Sequence, residues 1–254
     1  IFKRNGMVWL AKKCSKHGEF EALLSSDYET FVKLSECKLQ HSGAKISISG
    51  KMTLKELQTI KKNLDRRQKT PAVSVSGIST TVSNVLLCGE AAIREDIIEI
   101  IEIFSSKFGV HLKTDGIRLT KERDFAGRLK SAGLKSIRIY FDGTTAKTNP
   151  INLDYITKAL NRCDEAGLHA ILCCRVEKGK NDSEIGAILD FAVSNSDSVR
   201  GVNFMPAQMY NNQKNRITIS DIMDKIEKQT KFLKRKDFIT LDKLQHIEEF
   251  IKTM

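Results

Sequence analysis

The sequence has no run of roughly eighteen apolar residues, so no segment is predicted to cross a membrane as a helix. No signal peptide is visible, because residues 1–13 lack a long apolar stretch and a small-residue cleavage site. The first residue is Ile1 rather than a methionine, which reads as a fragment of a longer chain. The cysteines, Cys14, Cys37, Cys88, Cys163, Cys173 and Cys174, do not form the framework of a small disulfide-rich secreted domain, and a reducing cytoplasm is expected. Acidic residues are the minority: 42 Lys and Arg stand against 31 Asp and Glu, a net charge of +11. The basic residues cluster at Lys61-Lys62, at Arg66-Arg67 with Lys69, and across Lys231–Lys236. Such clusters suit nucleic acid or anionic lipid, or else are solvated helix faces and loops. No aromatic interleaving and no nucleic-acid-binding motif supports the sharper of these readings.

What is present is a globular composition, 41% hydrophobic and 29% charged, long enough for one sizeable α/β domain. Met7 to Leu24 reads as a β-hairpin turning at Gly18, and Asp27 to Leu34 as a short helix. From Met52 a rhythm begins. Thr53 and Glu56 make a capping box, and Leu54, Leu57, Ile60 and Leu64 then share one helical face. Strands are predicted at 82–87, 110–113, 136–141, 169–176 and 200–205, with helices near 97–104, 121–132, 153–166 and 182–193 between them. The unit repeats about every 30 residues, the length of a βα element. The helices feed apolar strands by way of Gly109, Gly133 and Gly167, which argues for parallel strands with helices packed outside. Five or six strands are too few for a full eight-stranded barrel, leaving a partial barrel or an open sheet. In the tail, a helix at 218–229 with Ile219, Ile222, Met223 and Ile226 apolar, and a second at 241–251, are expected to cover an edge of the barrel, with docking onto a partner the alternative.

Either architecture puts chemistry at the C-terminal ends of the strands. The residues there are Cys88-Gly89-Glu90, Thr114-Asp115-Gly116, Asp142-Gly143, Glu177 with Asn181-Asp182, and Met205-Pro206. Polar groups and glycines suit a ligand-binding rim, although Gly and Asp also end strands and cap helices with no ligand.

The order of these segments resembles the radical S-adenosylmethionine (SAM) superfamily, in particular its archaeal branch of tetraether-lipid-synthase-like and methyltransferase-like proteins. Lys13-Cys14-Ser15-Lys16-His17-Gly18 resembles that branch's N-terminal knuckle. The segments Gly89-Glu90 through Ile97, Thr114–Leu119, Phe141-Asp142-Gly143, Lys178–Gly186 and Arg200–Pro206 resemble its successive rim motifs, and Arg216–Phe238 its tail. The resemblance runs nearly end to end. It implies an α/β fold, a partial (β/α)6 TIM-like barrel spanning residues 27–212, preceded by a β-hairpin at 1–26 and followed by a helical extension at 213–254. It also implies a SAM pocket lined by Gly89, Glu90, Thr114, Asp115, Asp142 and Asn181, and a [4Fe-4S] cluster held by three cysteines of a CxxxCxxC loop. Soft thiolates suit such a cluster, and its open iron position receives SAM.

The expected cluster loop reads Cys37-Lys-Leu-Gln-His41-Ser-Gly-Ala44. The first ligand position is kept, the second is a histidine, which can ligate iron, and the third is an alanine, which cannot. Cys88, in place of a glycine, is the rim residue best placed for a substitute thiolate, and Cys173-Cys174 puts one thiol on each side of a strand. Ala91-Ala92, Asp115 and Met205 are further departures from the pattern. Cys14 and His17 have the spacing of half a metal knuckle, or of a polar hairpin turn. Three functions follow: a degenerate radical-SAM-like protein with a residual SAM pocket, an active enzyme with unusual cluster ligation acting on a lipid or a cofactor precursor, and a basic module for an anionic partner.

Overall fold

The computed structural model describes residues 1–35, 43–47, 52–69, 74–75, 78–79, 84–207 and 216–238, with the backbone alone for 43–47, 64–69, 74–75 and 78–79. The predicted Cys37 and His41 and the tail helix at 241–251 lie outside the described residues, and of Arg66, Arg67 and Lys69 the backbone alone is described.

Three antiparallel strands open the chain: β1 (Phe2–Arg4), β2 (Met7–Cys14) and β3 (Gly18–Ser25). The predicted hairpin is the β2–β3 pair. The strand before it was unforeseen, and its cause is Asn5-Gly6, both at positive φ (51° and 75°), the conformation a tight hairpin turn requires. Helix α1 (Tyr28–Ser35) follows. The chain continues through β4 (Gly43–Ser47), α2 (Leu54–Lys69) and a two-residue ribbon of β5 (Ser74–Val75) and β6 (Ile78–Ser79). It then runs through β7 (Asn84–Cys88), α3 (Ile97–Ser105), β8 (Gly109–Thr114), α4 (Ile117–Lys121), α5 (Phe125–Ser131) and β9 (Leu134–Tyr140). The last elements are α6 (Leu153–Glu165), β10 (His169–Val176), α7 (Ile185–Ser194), β11 (Val199–Pro206) and α8 (Ile219–Gln229).

The main sheet has the order β11-β10-β9-β8-β7-β4. The pairs from β4 to β10 are parallel. β11 runs the same way, since Ala170 N–H donates to Ser198 and, farther along both strands, Ala207 N–H donates to Val176. Spatial order therefore equals chain order. A doubly wound open sheet reverses direction at a switch point, and this sheet never does. Right-handed crossovers without reversal put the helices that link successive strands on one face, the arrangement of a partial barrel. The capping box forms as predicted, with Thr53 N–H donating to Glu56 (2.7 Å) and Glu56 N–H to Thr53 Oγ1 (3.3 Å).

Two expectations change. The predicted helix at 121–132 starts later, at Phe125 (α5), and an unforeseen short helix α4 precedes it, because Glu122 is extended (φ −106°, ψ 109°) and separates the two. The segment aligned with the cluster loop contains a strand: Ala44 lies in β4, paired with Val85 of β7, so the third ligand position is strand rather than loop.

The chain falls into two compact units, one of Ile1–Leu39, Arg175–Leu189 and Phe204–Met254, the other of Gln40–Cys174 and Asp190–Asn203. In the second unit α3 buries Ile97, Ile100, Ile101 and Phe104 completely, each worth about 1.5–3 kcal/mol relative to exposure. Phe141 stacks on Phe191 at 4.7 Å. In the first unit, α8 buries Ile222, Met223 and Ile226 while Ile219, expected on the same apolar face, is half exposed. Arg235 binds Asp27, Thr30 and Asp224, joining α1 to α8. Gly186 approaches α8 so closely that a Cβ would stand 2.7 Å from the Gln229 carbonyl, and its N–H donates to Gln229 Oε1 at 3.0 Å.

Candidate functional site at the strand ends

β7 ends at Cys88, and the chain turns sharply through Gly89 (φ 79°) and Glu90 (φ 53°). Glu90 is a non-glycine residue in the left-handed region, a conformation that costs roughly 1–2 kcal/mol. Its side chain accounts for the geometry. The Glu90 carboxylate accepts from Thr114 Oγ1 at 2.6 Å and from the Asp115 N–H at 3.0 Å, so the turn after β7 is tied to the end of β8. The helical turn at Ala91–Ile93 has no side-chain cap, and α3 begins only at Ile97. Burial pushes the Glu90 carboxyl above the usual carboxylate range, with the neighbouring Asp115 charge adding and the two hydrogen bonds opposing.

The surrounding turns are braced. Thr114, 1% exposed, also accepts from the Gly116 N–H (3.2 Å), and Asp115 Oδ1 accepts from the Ile117 N–H (2.9 Å). Gly116 has φ 83° and sits against Ala159 of α6. Arg118 donates to the carbonyls of Ala92 and Arg94, both at 2.7 Å, and pairs with Glu122 at 2.6 Å. This fixes the turn at Ala91-Ala92. Gly89, Glu90, Thr114 and Asp115 are thus brought together as the sequence suggested.

The remaining predicted residues divide. Asp142 follows β9 in the same unit, and its charge reaches Cys173. Asn181 lies in the other unit, where Oδ1 accepts from Glu177 N–H (2.8 Å) and Nδ2 donates to the Arg175 carbonyl (2.9 Å); it braces the loop after β10. Cys14 and His17 do meet, Sγ to Nδ1 at 3.3 Å, on an exposed hairpin tip. Cys173 and Cys174 point to opposite sides of β10 as expected, and both are buried. Among the described residues no three His, Cys, Asp or Glu side chains converge as a metal ion requires.

Sequence reasoning missed the face of the sheet turned away from the helices. In β8, Val110 and Leu112 are fully buried, while His111 and Lys113 alternate with them and are half-buried. In β9, Ile137 and Ile139 are buried and Ser136, Arg138 and Tyr140 alternate. Register aligns His111 with Ser136, Lys113 with Arg138, and Tyr140 with Cys173. His111 contacts Ser136 Oγ at 2.7 Å and Asn84 Oδ1 at 3.3 Å; burial, then the Arg138 charge, lowers its pKa. The Asn84 amide fits only because Gly109 has no Cβ, which would lie 2.4 Å from it. Burial raises the Tyr140 hydroxyl, followed by the charges of Glu90, Cys88, Cys173 and Asp115, so Tyr140 links this face to the rim. The signal was in the sequence: parallel strands buried on both faces read as continuous apolar runs, and these two carry a polar residue at every second position.

No known family profile matches the chain. The 7,8-dihydro-6-hydroxymethylpterin dimethyltransferase of Methanocaldococcus jannaschii is 25% identical over 91% of this chain and 55% of its own length. The GTP 3',8-cyclase of Rhodopirellula baltica is 25% identical over 67% of this chain and 46% of its own. The mitochondrial GTP 3',8-cyclase of Arabidopsis thaliana is 31% identical over 62% and 43%. These relatives support a place for the chain in the radical SAM superfamily. The chain spans about half the length of these superfamily relatives. Among solved structures, the radical SAM methyltransferase TsrM of Kitasatospora setae, with tryptophan and a SAM analogue bound, aligns at a TM-score of 0.47 and 8% identity over 79% of this chain and 40% of its own. Archaeal TYW1 aligns at 0.38 and 16% identity over 62% of each chain.

Proposed function

We propose that this chain binds SAM at the C-terminal rim of its partial barrel and does so without a conventional three-cysteine [4Fe-4S] cluster. The observation that carries the reading is the Glu90 carboxylate, held in place by Thr114 and Asp115. A carboxylate has about four lone-pair sites, and Glu90 has two of them engaged by these donors, leaving acceptor capacity for the ammonium group of an amino acid moiety. Asp115 and Asp142 supply further acceptors for ribose hydroxyls. SAM, when bound, would supply an activated sulfonium. This chain's own residues orient it: Glu90 receives the ammonium, Thr114 and the Asp115 N–H keep Glu90 aimed, and Arg118 locks the turn that carries it.

The donor set does not fit the cluster. Ala44 offers no ligand atom, and the described residues hold no other group of three donors. No step is therefore routed through a cluster, and the branch of tetraether-lipid-synthase-like and methyltransferase-like proteins is proposed as the source of a scaffold kept for binding. Anaerobic reconstitution of the chain with iron and sulfide tests this. The expected result is a colourless protein that makes no 5'-deoxyadenosine after dithionite and still gives a saturable heat with SAM. A charge-transfer band with 5'-deoxyadenosine formation would overturn the cluster half of the proposal, and the absence of heat would overturn the SAM half.

A further inference from the structure

The face of the sheet opposite the buried one carries two cations, Lys113 and Arg138, with no ion-pair partner among the described residues. Lys113 of β8 and Arg138 of β9 are register partners on strands roughly 5 Å apart. Among the described residues the arginine ion pairs of this unit are made by Arg94, Arg118, Arg128 and Arg162, with Asp96, Glu122 and Glu165, and involve neither residue. Arg138 Nε is buried and has no hydrogen-bond partner among the described residues. A buried donor left unpaired is destabilising, so it marks a place where a partner belongs. Lys113 Nζ lies 4.3 Å from the centroid of the Tyr140 ring, which props the ammonium without neutralising it. Next along the same face, Cys173 feels both cations, and His111 is held by Ser136 and Asn84 and donates no counter-charge. Among the described residues, carboxylate charges reach this face at its strand-end edge, where Glu90 and Asp115 act on Tyr140 and Asp142 acts on Cys173.

We propose that Lys113 and Arg138 together hold one oxyanion, a phosphoryl or carboxylate group of a substrate that lies beneath the rim. Two like charges side by side on a half-buried face repel each other, and an oxyanion between them removes that repulsion while filling the empty Arg138 donor. A guanidinium matches the paired oxygens of either group, and the lysine adds a point charge. That the ligand is a substrate rests on the rim holding SAM; that it is an anion does not.

Inorganic phosphate is the probe. Its binding to the whole chain, followed by calorimetry, is expected to saturate, and to weaken about tenfold or more in Lys113→Gln and in Arg138→Gln, with SAM affinity within about twofold of the parent. Lys135→Gln, an exposed residue of the same strand as Arg138, is expected to bind phosphate like the parent. Competition by acetate at similar concentration would assign the site to carboxylates, and its failure to compete to phosphoryl groups. Phosphate binding that is absent in the parent, or unchanged in both variants, would overturn the proposal. So would a loss of SAM affinity in the variants with phosphate unaffected, since the cations would then be serving SAM's own carboxylate. Sensitive phosphate binding without any SAM binding would leave the anion site standing and the rim reading fallen. If Arg138→Gln melts early, Lys113→Gln and the charge-keeping Arg138→Lys carry the test, the latter with the smaller loss.

Discussion

The two faces of the parallel sheet are made by the same strands, and they differ at every second residue. On the helix side Val110, Leu112, Ile137, Ile139, Ala170 and Leu172 are fully buried. On the other side the same strands present His111, Lys113, Ser136, Arg138 and Tyr140. A closed barrel of this general kind fills its interior with branched apolar side chains. Here only one face does the work of a core, and the other is free to be polar. Stability and ligand chemistry are therefore separated by a single residue step along the chain, and substitutions one position apart should have effects of different kinds.

The largest effect is expected from the helix face. Leu112→Ala should cost about 2–5 kcal/mol in urea denaturation, through lost burial and the cavity left behind. Lys113→Gln, one residue later, should change stability by about 0.5 kcal/mol or less; a loss there comparable to Leu112→Ala would show that the polar face is core after all. Thr114→Val sits at the seam. It keeps the buried shape, removes the donor to Glu90 and the acceptor for Gly116, and should cost about 1–3 kcal/mol.

Smaller effects follow from pH. The folded-state pKa of Glu90 is raised by burial, so its ionised form costs stability above that pKa, and the cost fades as pH falls toward 4.5. Wild type should gain on Glu90→Gln during that acidification, and a constant difference would contradict the assignment. Asp96 behaves oppositely. Its pKa is lowered mainly by the Arg94 hydrogen bond, so its contribution is present above 3.8 and is lost as pH falls through the folded value. His111 has a lowered pKa, mainly through burial, so its share of stability is present above 6.5 and declines as pH falls below it. Phosphate bound at Arg138 should lift the His111 pKa, measurable by NMR titration, because it offsets one cause of the lowering.

Much of the architecture was legible because it depends on periodicity. The strands at 169–176 and 200–205, the helix at 153–166 and the capping box at Thr53 follow from hydrophobic spacing, glycine stops and a single side-chain reciprocity. β4 was missed because Gly-Ala-Lys-Ile-Ser has little apolar character, and its partner β7 rather than its own sequence places it in the sheet. The break at Glu122 was missed because Arg118 and Arg128 both engage its carboxylate, a tertiary cause that a helical pattern does not display. At the rim, motif order pointed to Gly89, Glu90, Thr114 and Asp115, and the structure brings these residues next to one another. Lys113 and Arg138 were missed because each looked like an ordinary strand residue until register placed them opposite one another.

The most direct measurement is a paired calorimetric titration of SAM into the chain and into Glu90→Gln. The account predicts saturable binding in the first and affinity lower by about tenfold or more in the second, with both proteins melting at similar temperatures. Equal affinity in the two proteins would contradict the central role given to the carboxylate held by Thr114 and Asp115.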